Sequence, residues 1–359
     1  DIISIGSNTR PRYQDAQERT FGSHVAVRDF HRITEANDFE AECHSTLKIN
    51  QVNQIVQFCR SKSPVFRQHP HLKRMKEHYA NFKWLLKKSN PPGWMCAQKR
   101  PADGFYAVMA SYKDTGKSLP DYLFIMDDDT YVNLNEVSPF LQTAYPANEA
   151  YAVAGCMIRS RIKEHNFTNR FGGWGNILTR PAIENFQKPL FCAQYQYSSK
   201  NFTPTTAGDD DFASLACWRL SQDPVGEASV FVEGMSVAEL MHAYVKRFDY
   251  TGIHHWKATS VGFCMHSDWV WGYFVNFYHI SVHADTPVFA HLLEDRLRGY
   301  NDSVIYSGKQ TAEVKAQRKE CLNQKEQCQA SSHLCHYITP DAMDKLHGAL
   351  RELVPDQFR

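Results

Sequence analysis

The chain has 359 residues, of which 43% are apolar, and this is enough for a sizeable core in one large domain or two smaller ones. Its 40 basic and 39 acidic side chains nearly cancel, leaving a net charge of +1. This balance argues against nucleic acid or an acidic membrane surface as a partner, because both favour a strongly basic face. The sequence contains no run of the roughly 18 to 20 apolar residues that a membrane-spanning helix needs.

Cysteine usage favours the secretory pathway. Ten cysteines occur without a C-x-x-C pair, so several disulfides explain them better than zinc or redox chemistry; buried free thiols in a cytosolic protein are the alternative. Three N-x-S/T sequons, at Asn166, Asn201 and Asn301, agree with a secretory location. Because the sequence starts on "DIISIG" without a signal peptide or an initiator Met, we expect it to be the luminal or extracellular part of a longer protein.

Strands and helices alternate in the first part of the chain. "DIISIG" is typical of a short buried strand, "RPRYQDAQERTFG" of a helix that ends at Gly22, and "HVAVRDF" of a second strand. Helical spacing returns in "NQVNQIVQFC" and "RMKEHYANFKWLLKK", and "SNPPG" predicts a turn. This order of elements indicates an α/β fold.

The apolar run "YLFIM" is the clearest predicted strand, and it follows a helix that starts after Pro101. It ends on three consecutive aspartates, Asp127, Asp128 and Asp129. The segment "NLNEVSPFLQTAY" is then predicted to be a helix and "YAVAGCMI" a strand. Since no internal repeat interrupts this order, residues 1–285 are predicted to form one α/β domain.

The last part of the chain has a different character. Cys321, Cys328 and Cys335 recur at intervals of seven in a polar segment, which would place them on one side of a continuous helix. A zinc site built on them is disfavoured, because structural zinc sites usually bring cysteines in closer pairs. Residues 286–359 are therefore predicted to be a mainly helical extension stabilised by disulfides.

The aspartate triplet is the main candidate for a functional site. An acidic turn or a helix N-cap would explain an isolated D-x-D. Here an apolar strand leads directly into the carboxylates, and crowded carboxylates repel unless a cation or an electropositive ligand neutralises them. Asp127 and Asp129 would lie on one side of an extended segment and could share Mg²⁺ or Mn²⁺, with a phosphate completing the coordination. Ligands of open α/β sheets bind at the carboxyl ends of strands, where this triplet lies.

Three segments, "DYLFIMDDDTYVNLNEV", "RFGGWGNILTRPAIENF" and "GDDDFASLACWRL", resemble in order and spacing the D-D-D-T-Y-V, G-G-A-G and E/D-D-x-x-x-G motifs of one enzyme family. This family comprises the inverting β1,3-glycosyltransferases related to Fringe and the core 1 galactosyltransferases. "AQERTFG" is similar to the family's A-I-R-x-T-W-G, with Thr20 and Gly22 kept and Glu18 where an arginine is usual. The resemblance covers residues 1–285.

The resemblance implies a GT-A fold, which is a Rossmann-like mixed sheet flanked by helices, and a UDP-sugar donor bridged to the protein by Mn²⁺ or Mg²⁺. Such an ion stabilises the charge that develops on the leaving phosphate. Asp129 would be the principal metal ligand, with Asp127 and Asp128 helping to bind the metal or the ribose. A second metal ligand of the family is a histidine on a late strand, and "SDWVWGYFVNFYHISVH" places His279, or alternatively His283, there.

Inversion at the anomeric carbon also needs a carboxylate as general base, opposite the leaving diphosphate. The resemblance assigns this role to Asp211, with Asp210 as the alternative, although capping of the following helix would also explain both residues. A glycine-rich segment, here called the donor-site segment, would let the backbone approach the substrate closely. The indole of its tryptophan could stack on a sugar or fill the core. This segment consists of Gly172, Gly173, Trp174 and Gly175.

We therefore expect a hexosyltransferase that moves a sugar from a UDP-sugar to a hydroxyl of a glycan or glycoprotein, with a β1,3 linkage as product. The resemblance implies the lumen of the Golgi or endoplasmic reticulum, and a membrane contacted only through an amino-terminal anchor outside this sequence. Two other functions stay open. One is a catalytically inactive sugar-binding protein of the same fold, and the other is a metal-dependent phosphohydrolase, which would need further carboxylates or histidines.

Overall fold

The computed structural model describes residues 1–35, 43, 47–61, 86, 88–154, 157–162, 165–170, 175–195, 211–222, 230–246, 267–278, 280, 334–336 and 338–353. Its strands are β1 (Ile2–Ile5), β2 (Phe30–Ile33), β3 (Tyr122–Asp127), β4 (Thr130–Val132), β5 (Ala152–Ala154), β6 (Met157–Ile162), β7 (His165–Arg170), β8 (Asn176–Thr179) and β9 (Leu334–His336). Its helices are α1 (Pro11–Arg19), α2 (Ile49–Ser61), α3 (Pro91–Ala97), α4 (Arg100–Thr115), α5 (Leu134–Ala144), α6 (Arg180–Gln187), α7 (Asp211–Ser221), α8 (Val237–Lys246), α9 (Ser267–Phe277) and α10 (Pro340–Leu353).

A five-stranded mixed sheet organises the described residues, with strand order β2-β1-β3-β8-β5. Strand β1 pairs in parallel with β2 and with β3, whereas β8 is antiparallel to β3 and to β5. The carboxyl ends of β1, β2 and β3 therefore meet at one edge of the sheet. The predicted mixed α/β sheet flanked by helices is confirmed, and so are the predicted strands at the start of the chain and at "YLFIM".

Both faces of the sheet are covered, which explains why β3 is a continuous apolar run instead of an alternating one. On one face Leu123 and Ile125 pack into an apolar cluster that also contains residues of α4, α6, α8 and α9. On the other face Phe124 and Met126 pack with residues of α1, α5, β9 and α10. Successive side chains of a strand point to opposite faces, so one strand serves both clusters.

The predicted second strand "HVAVRDF" is wrong in position. Strand β2 is Phe30–Ile33, while Phe21–Ser23 form a turn of 3₁₀-helix and Val25 is 81% exposed. The predicted turn "SNPPG" is instead the start of α3, because Pro91 occupies the first helical turn, where its missing N–H costs nothing. The Asn90 side chain accepts a hydrogen bond from the Gly93 backbone N–H at 3.1 Å and caps this helix.

The aromatic segment that the resemblance assigned to a late strand is the helix α9, so that prediction is wrong. Its buried residues recur at helical spacing, and Trp271 and Phe274 are among them. Trp271 packs edge-on against Phe105 and Phe186, with ring centroids 4.8 and 5.6 Å apart. A helix can bury one aromatic stripe against two neighbouring helices in this way.

Two disulfides, Cys43–Cys96 and Cys192–Cys217, confirm the prediction that cysteines pair in this chain. Disulfides form and persist in oxidising compartments, so they are consistent with a secretory or extracellular location. None of the described helices is both long and apolar enough to cross a bilayer. The other predictions on Cys321 and Cys328, on the sequons at Asn201 and Asn301, and on almost all of "RMKEHYANFKWLLKK" fall outside the described residues.

The described residues of the predicted C-terminal extension contact the sheet domain. Strand β9 pairs antiparallel with β4, with Val132 opposite Leu334 and Thr130 opposite His336. Helix α10 lies against α1, where Arg19 forms two hydrogen bonds with the Asp344 carboxylate at 2.9 and 2.6 Å. Part of the extension is thus built into the main fold.

Lys99, just before α4, is a buried cation that should make stability depend on pH. Only 2% of it is exposed, and burial lowers its pKa from 10.5 to about 7, while the charge of Asp103 opposes this shift. In the unfolded chain Lys99 stays protonated up to pH 10.5, whereas in the folded protein it loses its proton above about pH 7. The free-energy cost of burying the charged amine is therefore full below pH 7, and it falls to zero as the pH rises to 10.5. We expect Lys99→Met to raise the free energy of unfolding at pH 7 by roughly 2–5 kcal/mol, with no gain at pH 10.5, in urea titrations. A gain that is equal at both pH values would contradict this assignment.

Candidate functional site

The three aspartates lie in a tight turn between β3 and β4, here called the aspartate turn (residues 127–130). Strand β3 ends at Asp127, Asp128 and Asp129 form the turn, and β4 begins at Thr130. The prediction that an extended segment runs through all three aspartates is therefore wrong. The Asp128 backbone N–H donates to the Ile5 carbonyl at 2.9 Å, which fixes the turn beside the carboxyl end of β1.

The turn separates the three carboxylates by exposure. Asp128 is 1% exposed, whereas Asp127 and Asp129 are half-buried. That Asp127 and Asp129 share one side stays a prediction. Burial raises the pKa of Asp128, Arg10 opposes this shift and the neighbouring Asp129 charge adds to it, with a net pKa of about 6. A buried carboxyl beside other carboxylates is an arrangement that a cation would stabilise.

The polar atoms of Asp128 are only partly used within the described part of the chain. Its Oδ1 accepts a hydrogen bond from the Arg10 guanidinium at 3.1 Å, and Arg10 is itself 51% exposed. Its Oδ2 is buried and makes no hydrogen bond to any of the described residues. The carboxylate oxygens of Asp127, Asp128 and Asp129 are hard donors, whose chemistry fits Mn²⁺ or Mg²⁺ and not a softer metal.

Gln17 of α1 stabilises the aspartate turn through hydrogen bonds to its backbone. Its Nε2 donates to the carbonyls of Asp127 at 2.9 Å and of Thr130 at 2.7 Å, on the two sides of the turn. Its Oε1 accepts a hydrogen bond from Ser4 at 2.5 Å, and the residue is fully buried. Sequence reasoning missed Gln17, although it lies within the segment "AQERTFG" that was singled out for Thr20 and Gly22.

Charged residues continue along the same edge of the sheet. Glu35, just after β2, accepts hydrogen bonds from the Ser7 hydroxyl and from the Asn8 backbone N–H, the latter at 2.6 Å. Arg100 lies 3.2 Å from this carboxylate and also donates to the Gly6 carbonyl. Burial alone would raise the pKa of Glu35, but the hydrogen bonds from Ser7 and Asn8 and the charge of Arg100 lower it. Glu35 is thus ionised at neutral pH and adds a second acidic group to this edge.

Of the predicted donor-site segment, the structure describes Gly175. Its φ of +84° lies in the left-handed region that favours glycine, and an added Cβ would meet the Met126 Cβ at 3.6 Å. Gly175 therefore lies against the strand that leads to the aspartate turn, while its approach to a donor sugar stays a prediction. The next residue, Asn176, is 2% exposed, and its Oδ1 makes no hydrogen bond to the described residues; the sequence had not indicated it.

The remaining predicted site residues are described only in part. Helix α7 begins at Asp211, which confirms the predicted helix, but its side chain and all of Asp210 lie outside the described residues. The same is true of the two predicted histidines, His279 and His283, and of three residues of the donor-site segment, Gly172, Gly173 and Trp174. Their roles stay predictions. The structure brings together the aspartate turn, Arg10, Glu35 and Gly175.

Comparison with models of known protein families finds no match to this sequence, and comparison with curated proteins finds none either. The chemistry of the aspartate turn and the motif resemblance are therefore the two observations that indicate a function for this chain.

Proposed function

We propose that this protein is a metal-dependent inverting glycosyltransferase that moves a sugar from a UDP-sugar to a hydroxyl of a glycan or glycoprotein. The observation that carries this proposal is the aspartate turn at the carboxyl ends of β1 and β3. Asp128 is buried there with an oxygen that no described residue satisfies, and its neighbours Asp127 and Asp129 are half-buried. The geometry supports a cation site at the sheet edge where open α/β folds bind ligands.

The chemistry of such a site suits a diphosphate leaving group. A divalent cation, when bound, stabilises the negative charge that the departing UDP gathers on its β-phosphate. Asp129 is proposed to be the principal ligand of this cation, and Asp127 and Asp128 to help bind the metal or the ribose. Arg10 is half-exposed next to the same carboxylates, where its guanidinium can also contact phosphate oxygens.

Deprotonation of the acceptor hydroxyl is proposed to depend on the acidic segment "GDDDF". Asp211, at the start of α7, is proposed to accept the proton of the acceptor hydroxyl, and Asp210 is the alternative. Gly175 supports a donor site next to β3, because its backbone passes close to Ile125 and Met126 without a side chain in between. The β1,3 linkage and the use of a UDP-sugar follow only from the motif resemblance, which does not identify the sugar.

Calorimetric titration with UDP, in the presence and absence of Mn²⁺, tests the proposal. We expect UDP to bind the wild-type protein only when Mn²⁺ is present, and Asp129→Ala to abolish this binding because it removes the principal ligand. The matched control is Asp121→Ala, at the opposite end of the same strand. There the carboxylate is 64% exposed and pairs with Arg180 at 2.6 Å, far from the turn along β3, so UDP binding should persist.

Two results would overturn the proposed function. The first is that the wild-type protein binds no UDP, with or without Mn²⁺. The second is that Asp129→Ala binds UDP as well as the wild type does. Either result would show that the aspartates serve another purpose. If the wild-type protein does bind UDP in the presence of Mn²⁺, hydrolysis of a panel of UDP-sugars identifies the donor.

A further inference from the structure

We propose that residues 334–336 and 338–353, here called the C-terminal clamp, position Asp129 for cation binding, and that Ile338 is the positioning residue. This inference rests on the proposed function for the role of the cation. It extends that function because the motif resemblance ends at residue 285 and assigns no role to the segment beyond it. The clamp acts through the backbone of the aspartate turn and does not itself contact a substrate.

A backbone hydrogen bond joins the clamp directly to the turn. The Ile338 N–H donates to the Asp129 carbonyl at 3.0 Å, whereas Gln17 binds the carbonyls of Asp127 and Thr130 in the same turn. The pairing of β9 with β4 continues from this point, with Thr130 opposite His336 and Val132 opposite Leu334. Among the described strands, β4 has no other partner than β9.

The clamp is anchored by apolar side chains and not mainly by its ion pairs. Leu334, Ile338, Met343 and Leu350 are at most 8% exposed and belong to the same apolar cluster as Tyr131 and Val132 of β4. Burying side chains of this size contributes roughly 1.5–3 kcal/mol each. The ion pair of Arg12 with Asp341 is about three-quarters exposed on both sides and adds little.

The conformation of Asp129 depends on the clamp because backbone hydrogen bonds and strand pairing restrict it. Strand β4 is only three residues long, and a strand this short is not stable without a partner. Without the clamp, the carbonyl of Asp129 would lose the Ile338 N–H, and the peptide planes next to Asp129 would be less restricted, although Gln17 still binds the carbonyls of Asp127 and Thr130. A cation site tolerates misplacement of its ligands by only about 0.5 Å, so loss of the clamp should weaken cation binding.

Ile338→Pro tests the inference, because proline removes the N–H that donates to Asp129. Its matched control is Ile338→Ala, which removes the side chain but keeps the N–H. Free Mn²⁺, measured by electron paramagnetic resonance, gives the affinity. We expect Ile338→Pro to weaken Mn²⁺ binding by about 10- to 100-fold, as is usual when a group that orients a metal ligand is lost, and Ile338→Ala to weaken it much less.

A second pair of variants decides the matter if Ile338→Pro does not fold. Met343→Ala loosens α10 of the clamp, whereas Leu141→Ala removes a similar buried side chain from α5 in the same apolar cluster. Both should lower stability by about 2–5 kcal/mol. Only Met343→Ala should weaken Mn²⁺ binding, and equal Mn²⁺ affinities in the two variants would overturn the proposed positioning role.

Backbone amide exchange of residues 129–132 separates this inference from the proposed function. Faster exchange in Ile338→Pro than in Ile338→Ala is expected whether or not Mn²⁺ binds, because it reports only the pairing of β4. If the wild-type protein binds no Mn²⁺ but exchange is faster, the proposed function fails while the structural contact stands. If exchange and Mn²⁺ affinity are both unchanged in Ile338→Pro, the clamp does not position the turn.

Discussion

Replacing Asp211 by asparagine is expected to reduce sugar transfer by about 10²- to 10⁴-fold while UDP and Mn²⁺ still bind. The substitution keeps the shape of the side chain but removes the carboxylate that would take the proton of the acceptor hydroxyl. In the proposed function, donor binding depends instead on the aspartate turn, at the end of a different element. The two quantities are measured by a transfer assay with the donor sugar found by UDP-sugar screening, and by calorimetry with UDP.

Asp210→Asn is the matched control for this experiment, since the two residues are adjacent and either could align with the acidic motif. The larger loss of transfer identifies the base. Both variants should keep helix α7, because each asparagine remains a good N-terminal capping residue. Full transfer activity in both variants would show that neither carboxylate is the base.

Gln17→Met is expected to lower the free energy of unfolding by about 2–4 kcal/mol and to weaken UDP binding as well. Methionine fills nearly the same volume, but it cannot donate to the carbonyls of Asp127 and Thr130, and each buried carbonyl that loses a donor costs about 1–3 kcal/mol. Urea unfolding measures the loss of stability. Calorimetry with UDP and Mn²⁺ measures how far the aspartate turn has shifted.

The neighbouring Gln14 provides the control, because it lies on the same helix and is equally buried. Its Nε2 donates to the carbonyls of Ser4 at 2.8 Å and Ile33 at 3.3 Å, so it ties β1 to β2 without contacting the aspartate turn. Gln14→Met should therefore destabilise the fold to a similar degree and leave UDP binding intact. If the two variants impair UDP binding equally, Gln17 has no particular connection with the site.

The central strands and most helices could be predicted from the sequence because their signals are local. Strand β3 is a run of apolar residues that ends abruptly on carboxylates, and α4 shows its helical spacing over 16 residues. The position of the aspartates at the carboxyl end of a strand followed from the same pattern. Together these signals gave the α/β class and the place of the candidate site.

Other features depend on contacts that no local pattern reveals. Strand β2 is an edge strand whose residues are half-buried or exposed, so "FHRI" lacks the apolar character that made "HVAVRDF" the more obvious choice. In α9 most residues are apolar, which hides the helical period, and the structure shows that Trp271 and Phe274 are buried in the core. Gln17 with its side-chain amide and Ile338 with its backbone N–H bind carbonyls of the turn from distant parts of the chain, and no sequence pattern reveals these contacts.

The pairing of β4 with β9 also has a consequence for biosynthesis. Val132 meets Leu334 about 200 residues later, and contacts over such separations form late because loop closure must precede them. During translation, the ribosome has to produce the intervening polypeptide before β4 can acquire its partner strand. A nascent chain that has already folded its central sheet would thus carry an unfinished aspartate turn, and a premature stop codon anywhere before residue 334 would leave it unfinished permanently.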